Sequence, residues 1–590
     1  MRKRCAKRIV WKPTQKSRAE EVRRWFKKSV TYEGEAYTID AEQAEAVVCD
    51  NLNTIVVARA GSGKTRTIVA KVVYLIARCM VKPEEIMVFV FNANAAREIN
   101  ERLAKMWVEG KAVFSGGGDG MKKSGDTQKV KVATTFHAFA RRIVYEACGG
   151  AEKCGKILVG EREAFIERIV RGVLGEGVEE MEVKRRVLQM VGFVNRAQQQ
   201  FLGGKKSLAS ALEARLSVGG VNGISASEAQ LSVGEVGEEE REFLRLGWEV
   251  YRRYHWYLLN ARGGPAEFAE YGTDFNLIVS WASKLILARR RSVEELLSRV
   301  KYILVDEYQD FSQLFLSAVK AVRMVARESR LFVVGDDWQA INRFAGSEVK
   351  YFKEFERYFP EDAKRLVIST NYRCDYLIVE TARKFMRKAM GERGEFRAFA
   401  RRMGRVVLVD AKRTKERYLE ILVRLVRENR KAKEILLLHR NNETNLKISL
   451  KGLLVALRRE VARAGVMSGE EFDAKVRAMT MHKSKGLEAE VVIILEADEG
   501  VIPKTHPDTR LYAVFGETEE AVLDDQKRLF YVAMTRAKRR LYIMHDFGGD
   551  GSGGYGGGGF GGSGGGRGRS GGSRMGFIKY LGRGVERWEE

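Results

Sequence analysis

A strand–loop–helix pattern constrains the fold of this chain more than any other feature of its sequence. The apolar, β-branched run NTIVVA is followed by the loop RAGSGKT and then by helical periodicity. In such a unit the backbones of Gly61 and Gly63 can approach phosphate oxygens, while Lys64 reaches the β- and γ-phosphates and Thr65 can ligate Mg²⁺. A GKT triplet also occurs by chance in ordinary loops, but the flanking strand and helix favour a nucleotide-binding loop.

Further residues suited to phosphoryl transfer follow later strand patterns. Asp306 and Glu307 end the run YILVDE, where an aspartate can hold Mg²⁺ and a glutamate can orient and deprotonate the attacking water. Gln339, after FVVGDDW, could sense the γ-phosphate. Arg373 in STNYRC and Arg536 in AMTRAK would stabilise charge on the transferred group, unless they serve as structural ion pairs.

The order of strand and helix patterns predicts the architecture. Apolar strand runs alternate with helical runs from about residue 37 onward, which is typical of parallel sheets flanked by helices. Between about 139 and 271 the strand signal fades, and long charged helical patterns predict a mostly helical insertion. Strand runs then return, and a second α/β series begins at GRVVLVDA. We therefore expect two α/β lobes.

The net charge of +26 predicts a polyanionic partner. Excess lysine and arginine attract nucleic acid and release its counterions, although a solvated basic surface is the alternative. Six cysteines are scattered without metal-binding spacing, so we expect reduced thiols. The sequence shows neither a signal peptide nor a membrane-spanning run, so we expect a cytoplasmic, nucleoid-associated protein without a membrane partner.

Two segments leave alternatives open. The basic residues 1–30, with Trp11, Trp25 and Phe26, suit either a nucleic-acid arm or an amphipathic helix packed on the first lobe. The glycine-rich segment 548–573 carries scattered aromatic and arginine side chains. It suits either a flexible element that contacts single strands or a plain linker.

Seven motifs together resemble one helicase family. The chain contains, in this order, AGSGKT, TFHAF, VDEYQD, VGDDWQ, NYR, TMHKSKGLE and LFYVAMTRAK. This set resembles the UvrD/Rep group of superfamily 1 DNA helicases between about residues 37 and 546, and VGDDWQAINRFAG and DEGVIPKTHPD are similar to its helicase IV branch. The resemblance implies two RecA-like lobes, ATP and Mg²⁺ bound between them, and 3′-to-5′ movement on single-stranded DNA.

The resemblance also implies site residues. The residues that would bind the nucleotide are Gln43, Ala60, Gly61, Ser62, Gly63, Lys64, Thr65, Arg66, Tyr372 and Glu488. Gln43 would read adenine, Tyr372 would stack on it, and Glu488 would contact the ribose. The catalytic residues would be Lys64, Glu307, Gln339, Arg373 and the arginine finger Arg536, and the Mg²⁺ ligands would be Thr65 and Asp306.

A third group of residues would touch single-stranded DNA. Its members are Phe91, Thr135, His137, Phe344 and His482. The rings of Phe91 and Phe344 would stack on bases, unless they belong to the core.

The expected segments follow the family's order. They are a basic arm (1–30), the first part of lobe 1A (31–138), a helical 1B-like insertion (139–271), the second part of lobe 1A (272–368), lobe 2A (369–547) with a short 2B remnant near 443–475, a Gly-rich flexible insertion (548–573) and a C-terminal helix (574–590). The 2B subdomain is expected to be absent or reduced to a helix. Four residues depart from the family pattern, and these departures concern how the DNA strand is bound rather than ATP hydrolysis. They are Asn94, Asn342, Ala345 and Gln526.

These inferences predict an ATP hydrolase that moves 3′ to 5′ along single-stranded DNA and unwinds forked duplex. We expect a monomer with protein partners in repair, replication or recombination. One alternative is a translocase that strips bound proteins with little unwinding, which the short 2B region suggests. Another is a non-catalytic nucleic-acid-binding protein with a vestigial P-loop, against which the intact phosphate-site residues argue.

Overall fold

The computed structural model describes residues 14–113, 131–148, 156–158, 161–202, 207–217, 236–260, 271–411, 414–504, 507–546, 576–582 and 585–588. Trp11 and the Gly-rich segment 548–573 therefore lie outside the described residues. The chain divides into unit 1, which comprises Met1–Ala58, Gly63–Asp337 and Asn342–Ser369, and unit 2, which comprises Arg59–Ser62, Trp338–Ile341 and Thr370–Glu590. None of the described helices is both long enough and apolar enough to cross a membrane.

Unit 1 contains strands and helices in alternation. Its strands are β1 (Val30–Tyr32), β2 (Glu35–Ala36), β3 (Asn53–Ala58), β4 (Ile86–Val90), β5 (Met106–Val108), β6 (Lys111–Ala112), β7 (Ala133–Thr135), β8 (Lys156–Leu158), β9 (Tyr271–Asp274), β10 (Tyr302–Val305), β11 (Arg330–Gly335) and β12 (Ala363–Ile368). Its α-helices are α1 (Gln15–Ser29), α2 (Ala41–Val48), α3 (Lys64–Ala77), α4 (Ala93–Ala104), α5 (Phe136–Cys148), α6 (Arg162–Leu174), α7 (Glu180–Phe201), α8 (Leu208–Ser217), α9 (Glu238–Leu259), α10 (Phe275–Leu287), α11 (Arg291–Leu297), α12 (Gln313–Val325), α13 (Lys350–Lys353) and α14 (Phe355–Tyr358).

A six-stranded parallel sheet forms the centre of unit 1, in the order β12-β3-β11-β10-β4-β7. Its strand β3 is buried on both faces, with Val56 and Ala58 in one apolar cluster and Ile55 and Val57 in another. Successive side chains of a strand point to opposite faces, so the continuous apolar run NTIVVA is what such a strand requires. The sheet confirms the predicted first α/β lobe.

Helix α1 packs on the core of unit 1. Ala19, Val22, Trp25 and Phe26 of this helix are buried in the core of unit 1, while its charged residues face outward. The spacing of these four residues gives one apolar stripe along a helix. Gln15–Ser29 therefore forms an amphipathic helix packed on the first lobe, and contact of residues 1–30 with nucleic acid stays a prediction.

The helical insertion lies between α5 and α10, as predicted. Helices α6, α7 and α9 pack through aromatic side chains, with Phe165 against Tyr254 and Phe193 against Phe243. The short parallel pair β8 and β9 stands at the two ends of the insertion. Beyond β9 the chain returns to the first lobe through α10.

Unit 2 is a second parallel α/β lobe. Its strands are β13 (Thr370–Asn371), β14 (Arg397–Ala398), β15 (Arg405–Asp410), β16 (Ile435–His439), β17 (Val476–Thr480), β18 (Ala489–Ile494), β19 (Ala537–His545) and β20 (Glu586–Arg587). Its α-helices are α15 (Tyr376–Met390), α16 (Lys415–Glu428), α17 (Leu450–Arg463), α18 (Gly469–Lys475) and α19 (Glu519–Met534). The main sheet has the order β17-β16-β18-β19-β15-β20 with parallel pairing throughout, which confirms the second predicted lobe.

Two helices occupy the connection from β16 to β17, where a short 2B remnant was predicted. Helices α17 and α18 fill it, and Leu453, Leu457 and Phe472 are buried in the apolar cluster on one face of the sheet. A strand–helix–strand crossover needs a helix at this place, so these helices belong to the lobe itself.

The C-terminal segment differs from the expected α-helix. Gly576–Tyr580 is a short 3₁₀ helix, and β20 adds an edge strand beside β15. Gly576 and Gly582 both have positive φ, which stops helical propagation on either side. Phe577 and Ile578 nevertheless anchor the segment in the core of unit 2.

Candidate active site

The glycine loop after β3 is shaped for close approach of an anion. Gly61 and Gly63 have φ values of 68° and 84°, in the left-handed region that glycine favours. A Cβ at Gly63 would lie 2.7 Å from Nε2 of Gln43, and one at Gly61 would lie 2.6 Å from Nδ2 of Asn371. Helix α3 begins at Lys64 without a side-chain cap, so its N-terminal N–H groups point toward the loop.

A chain of polar contacts links this loop to the acidic pair after β10. Nζ of Lys64 donates to Oε2 of Glu307 at 2.9 Å, and Nε2 of Gln309 donates to the same oxygen. Oε1 of Gln309 in turn accepts from the backbone N–H of Asp336 at 2.9 Å, after β11. Glu307 has a φ of 49°, an uncommon value for a residue with a side chain, and its carboxylate is held by two donors.

The charges around Lys64 are tightly coupled. Burial acts to lower the pKa of Lys64, but Glu307, Asp336 and Asp306 outweigh it and raise this pKa above its ordinary value. Burial and the adjacent Glu307 raise the pKa of Asp306 to about 7. A bound cation would instead lower the pKa of Asp306, because a cation favours the ionised carboxylate. The hydroxyl of Thr65 and the carboxylate of Asp306 are hard oxygen donors, which suit Mg²⁺.

Residues from α2 and α3 lie next to the glycine loop. Gln43 is buried in the first turn of α2, where it forms a capping box with Asp40. The guanidinium of Arg66 lies 4.5 Å from the ring centroid of Tyr37 and donates to the carbonyl of Thr38 at 2.8 Å. These contacts fix Gln43, which was predicted to read adenine, and Arg66, which was predicted to bind the nucleotide.

In unit 2, the two predicted arginines have defined partners. Nε of Arg373 donates to Oε2 of Glu488 at 2.7 Å. Glu488, the residue predicted to contact the ribose, is therefore paired with an arginine. Arg536 is buried; its Nε donates to the carbonyl of Val532 at 2.9 Å, and Nη2 lies 3.5 Å from Oε1 of Gln339. The structure thus brings Gln339 and Arg536 together.

Asn371 connects the glycine loop to the predicted base-stacking residue. Its Nδ2 donates to the carbonyl of Ala60 at 2.6 Å, and the backbone N–H of Tyr372 donates to the carbonyl of Gly61 at 2.9 Å. The ring of Tyr372 is 42% exposed and lies 4.8 Å from the ring of Phe399, which is 67% exposed. Asn371 and Phe399 were not among the predicted site residues, although Asn371 lies inside the motif STNYRC.

Three of the predicted strand-binding residues lie near the ends of β4 and β7. Phe91 is exposed and contacts Phe315 edge to face, and the ring of His137 contacts both Phe315 and Phe275. Thr135 caps the first turn of α5 by accepting from the N–H of Ala138 at 3.1 Å. Phe275, an exposed ring at the start of α10, belongs to the same aromatic surface and was missed by the sequence analysis. Burial lowers the pKa of His137, so its ring is neutral at pH 7.

The two remaining strand candidates lie in short 3₁₀ helices. Phe344 is 53% exposed in Arg343–Ala345 of unit 1. His482 lies in His482–Ser484 of unit 2, where burial and the nearby charges of Arg440 and Lys485 lower its pKa to about 4.

The predicted site residues thus form local groups within each unit. Unit 1 gathers Lys64, Asp306 and Glu307, and it also carries Gln43, Arg66 and the exposed rings. Unit 2 gathers Gln339, Arg373, Glu488, Arg536 and Tyr372, with Ala60–Ser62 of the glycine loop. Gln309 and Asn371, which hold these groups by side-chain amides, had no signal in the sequence beyond their places in the motifs.

Two helicase family models match this chain. Residues 39–360 match the model of the UvrD/REP helicase N-terminal domain, and residues 457–546 match that of the UvrD-like helicase C-terminal domain. The chain is 27% identical over 529 residues to DNA helicase IV of Escherichia coli, covering 86% of this chain and 68% of that protein.

Two further relatives extend the comparison. A putative ATP-dependent DNA helicase of Bacillus subtilis is 27% identical over 353 residues, covering 58% of this chain and 38% of that protein. A probable DNA helicase of Mycoplasma pneumoniae is 23% identical over 515 residues, covering 86% of this chain and 83% of that protein. The first family model alone spans more than half of the sequence, and the chain therefore belongs to the UvrD/REP helicase family.

Proposed function

We propose that this protein is an ATP-dependent DNA helicase that moves 3′ to 5′ on single-stranded DNA and separates duplex ahead of it. The observation that carries the proposal is the contact of Lys64 with Glu307 beside Asp306, at the end of a parallel sheet and next to an uncapped helix N-terminus. A phosphate-binding lysine, a water-activating carboxylate and a metal-binding carboxylate are what hydrolysis of a triphosphate requires.

Each residue near the glycine loop has a distinct role in this proposal. The N–H groups of α3 and the ammonium of Lys64 bind the phosphates, and Gln309 holds the Glu307 carboxylate where it accepts a proton from water. Thr65 and Asp306 would hold Mg²⁺, which would neutralise charge on the phosphates. Arg373 and Arg536 stabilise charge on the transferred group, and Gln339 senses the γ-phosphate. Gln43, Arg66, Tyr372 and Glu488 select and orient the nucleoside.

The exposed rings of unit 1 would contact the strand. Stacking on Phe91, Phe275 and Phe344 tolerates any base, and each stack contributes about 1–3 kcal/mol. Thr135, His137 and His482 add polar contacts, and the net charge of +26 favours the phosphate backbone. We further propose a cytoplasmic, nucleoid-associated monomer that works with proteins of repair or replication.

A translocase with little unwinding activity is the second candidate. The observation that favours it is the β16–β17 connection, where α17 and α18 are packed into the lobe and no large insertion remains. A family member without that insertion lacks one element that could engage duplex.

Two assays on the purified protein test the proposal and separate it from the second candidate. ATP hydrolysis is measured with single-stranded DNA, single-stranded RNA and duplex, and strand displacement is measured on forks with a 3′ or a 5′ tail. Hydrolysis stimulated most by single-stranded DNA, with displacement restricted to the 3′-tailed fork, is expected. Strong stimulation without displacement would favour the translocase, and no hydrolysis would contradict both.

A further inference from the structure

A buried polar cluster joins the helical insertion to the start of α10. Asp274 is 1% exposed and accepts three hydrogen bonds, each of 2.7 Å, from Nε2 of Gln198, the hydroxyl of Tyr254 and the backbone N–H of Leu277. Burial raises the pKa of this carboxyl, but Arg162 and the three donors outweigh it and lower the pKa below its ordinary value. Asp274 is therefore a buried anion held by the insertion helices α7 and α9.

The end of α7 supplies most of the remaining bonds. Oε1 of Gln198 accepts from Nη2 of Arg162 at 2.7 Å and from Nδ2 of Asn276 at 3.0 Å. Nε2 of Gln199 donates to Oδ1 of Asn276 at 2.6 Å, and Asn195 accepts from Nδ2 of the same asparagine at 3.1 Å. The first turn of α10 is thus fixed to α7 from two sides.

Two exposed aromatic residues lie close in sequence to residues that contact α7. Phe275 stands between Asp274 and Asn276, and its ring is 44% exposed. Phe344 stands two residues before Gly346, whose φ is 90° and where a Cβ would collide with the side chain of Gln199. Gln198 and Gln199 of α7 therefore contact the side chains on either side of Phe275, and Gln199 also lies against the backbone at Gly346, near Phe344.

We propose that Gln198 and Gln199 of α7 are positioning residues that fix the rings of Phe275 and Phe344 at the orientation and spacing that stacked bases require. Buried hydrogen-bond networks tolerate few alternative arrangements because each unpaired group is costly, so they define geometry more sharply than apolar contacts do. The helical insertion then acts in strand binding through the residues that it holds. This inference rests on the proposed binding of single-stranded DNA.

The test compares Gln199→Leu with Gln200→Leu, a control on the neighbouring residue that none of the bonds above uses. Affinity is measured by fluorescence anisotropy for a short oligothymidylate and for an abasic oligonucleotide of the same length. Gln199→Leu should weaken binding of oligothymidylate by about tenfold, the scale of one weakened base stack. Its affinity for the abasic strand and its ATP hydrolysis without DNA should match those of the wild type.

Two further variants complete the test. Circular dichroism and thermal unfolding show whether Gln199→Leu folds. If it does not, the same binding measurements are made on Gln199→Ala, which introduces no extra bulk. In a Phe275→Ala, Phe344→Ala background, Gln199→Leu should cost little additional affinity, because interacting residues are not additive. Equal losses on both strands, or no loss on either, would overturn the inference. A wild-type protein that binds neither strand would instead contradict the proposed function.

Discussion

At the scale of single residues, the candidate active site depends on charge placement within a few ångströms. The ammonium of Lys64 and the carboxylate of Glu307 are 2.9 Å apart, and Gln309 fixes the carboxylate from a second direction. Groups that are oriented before the reaction act strongly because they need no reorganisation during it. Small changes at these residues should therefore alter turnover far more than they alter folding.

Lys64→Ala should reduce DNA-stimulated ATP hydrolysis on the order of 10²–10³-fold, which is the usual effect of removing one preorganised donor. Affinity for single-stranded DNA should be largely retained, since the proposed strand contacts are made by exposed rings of unit 1 and not by Lys64. Phosphate release and fluorescence anisotropy measure the two effects. The exposed Lys364→Ala provides the charge-matched control. Unchanged turnover in Lys64→Ala would contradict the assigned site.

Glu307→Gln should retain ATP binding while hydrolysis falls by roughly 10²–10⁴-fold, the range for loss of a general base. The amide has nearly the same shape as the carboxylate but cannot accept the proton of water. Equilibrium binding of a fluorescent ATP analogue and single-turnover hydrolysis distinguish the two steps. Glu361→Gln, at an exposed position, is the matched control. A variant that hydrolyses ATP at the wild-type rate would show that Glu307 is not the base.

At the scale of elements, the connection between β16 and β17 shows how the second lobe is completed. Leu453 of α17 is fully buried against the sheet, whereas Val455 on the same helix is 52% exposed. The helix thus covers one face of the sheet as an ordinary crossover helix does. Its contribution to stability should come from this buried stripe.

Leu453→Ala should lower the free energy of unfolding of unit 2 by about 2–5 kcal/mol, through lost burial and a residual cavity. Val455→Ala should change it by less than about 0.5 kcal/mol, since surface substitutions are usually small in effect. Urea unfolding followed by circular dichroism measures both variants. Equal destabilisation by the two substitutions would mean that α17 does not pack as described.

The elements that sequence could predict are those whose signal is local. Central strands of both large sheets, such as β4, β10 and β16, are mostly apolar runs, and Lys64, Asp306 and Glu307 lie in compact motifs at the strand ends. Two-residue strands such as β14 carry too few residues for a pattern, and glycines shortened the expected C-terminal helix. Gln309, Asn371 and Phe275 were missed because their importance comes from partners distant in sequence. The roles of the site residues stay predictions.

At the scale of the whole molecule, the dominant property is the net charge of +26. A protein that neutralises phosphates releases counterions, so its affinity falls as salt rises, with a slope that counts the phosphate contacts. This slope can assign contacts to segments that lie outside the described residues. The Gly-rich segment is the most informative target, since it combines Arg567 and Arg569 with Tyr555 and Phe560.

Deletion of residues 548–572 should weaken binding of single-stranded DNA and reduce its salt dependence. If Arg567 and Arg569 each neutralise one phosphate, the slope of log affinity against log salt should become shallower by about 1.4, given roughly 0.7 per contact on single strands. Replacing only the two arginines by alanine should reproduce the change in slope. Replacing only Tyr555 and Phe560 by alanine should lower the affinity and leave the slope unchanged. Circular dichroism should show unchanged folding in every variant. If affinity and slope both match the wild type after deletion, the segment is only a linker.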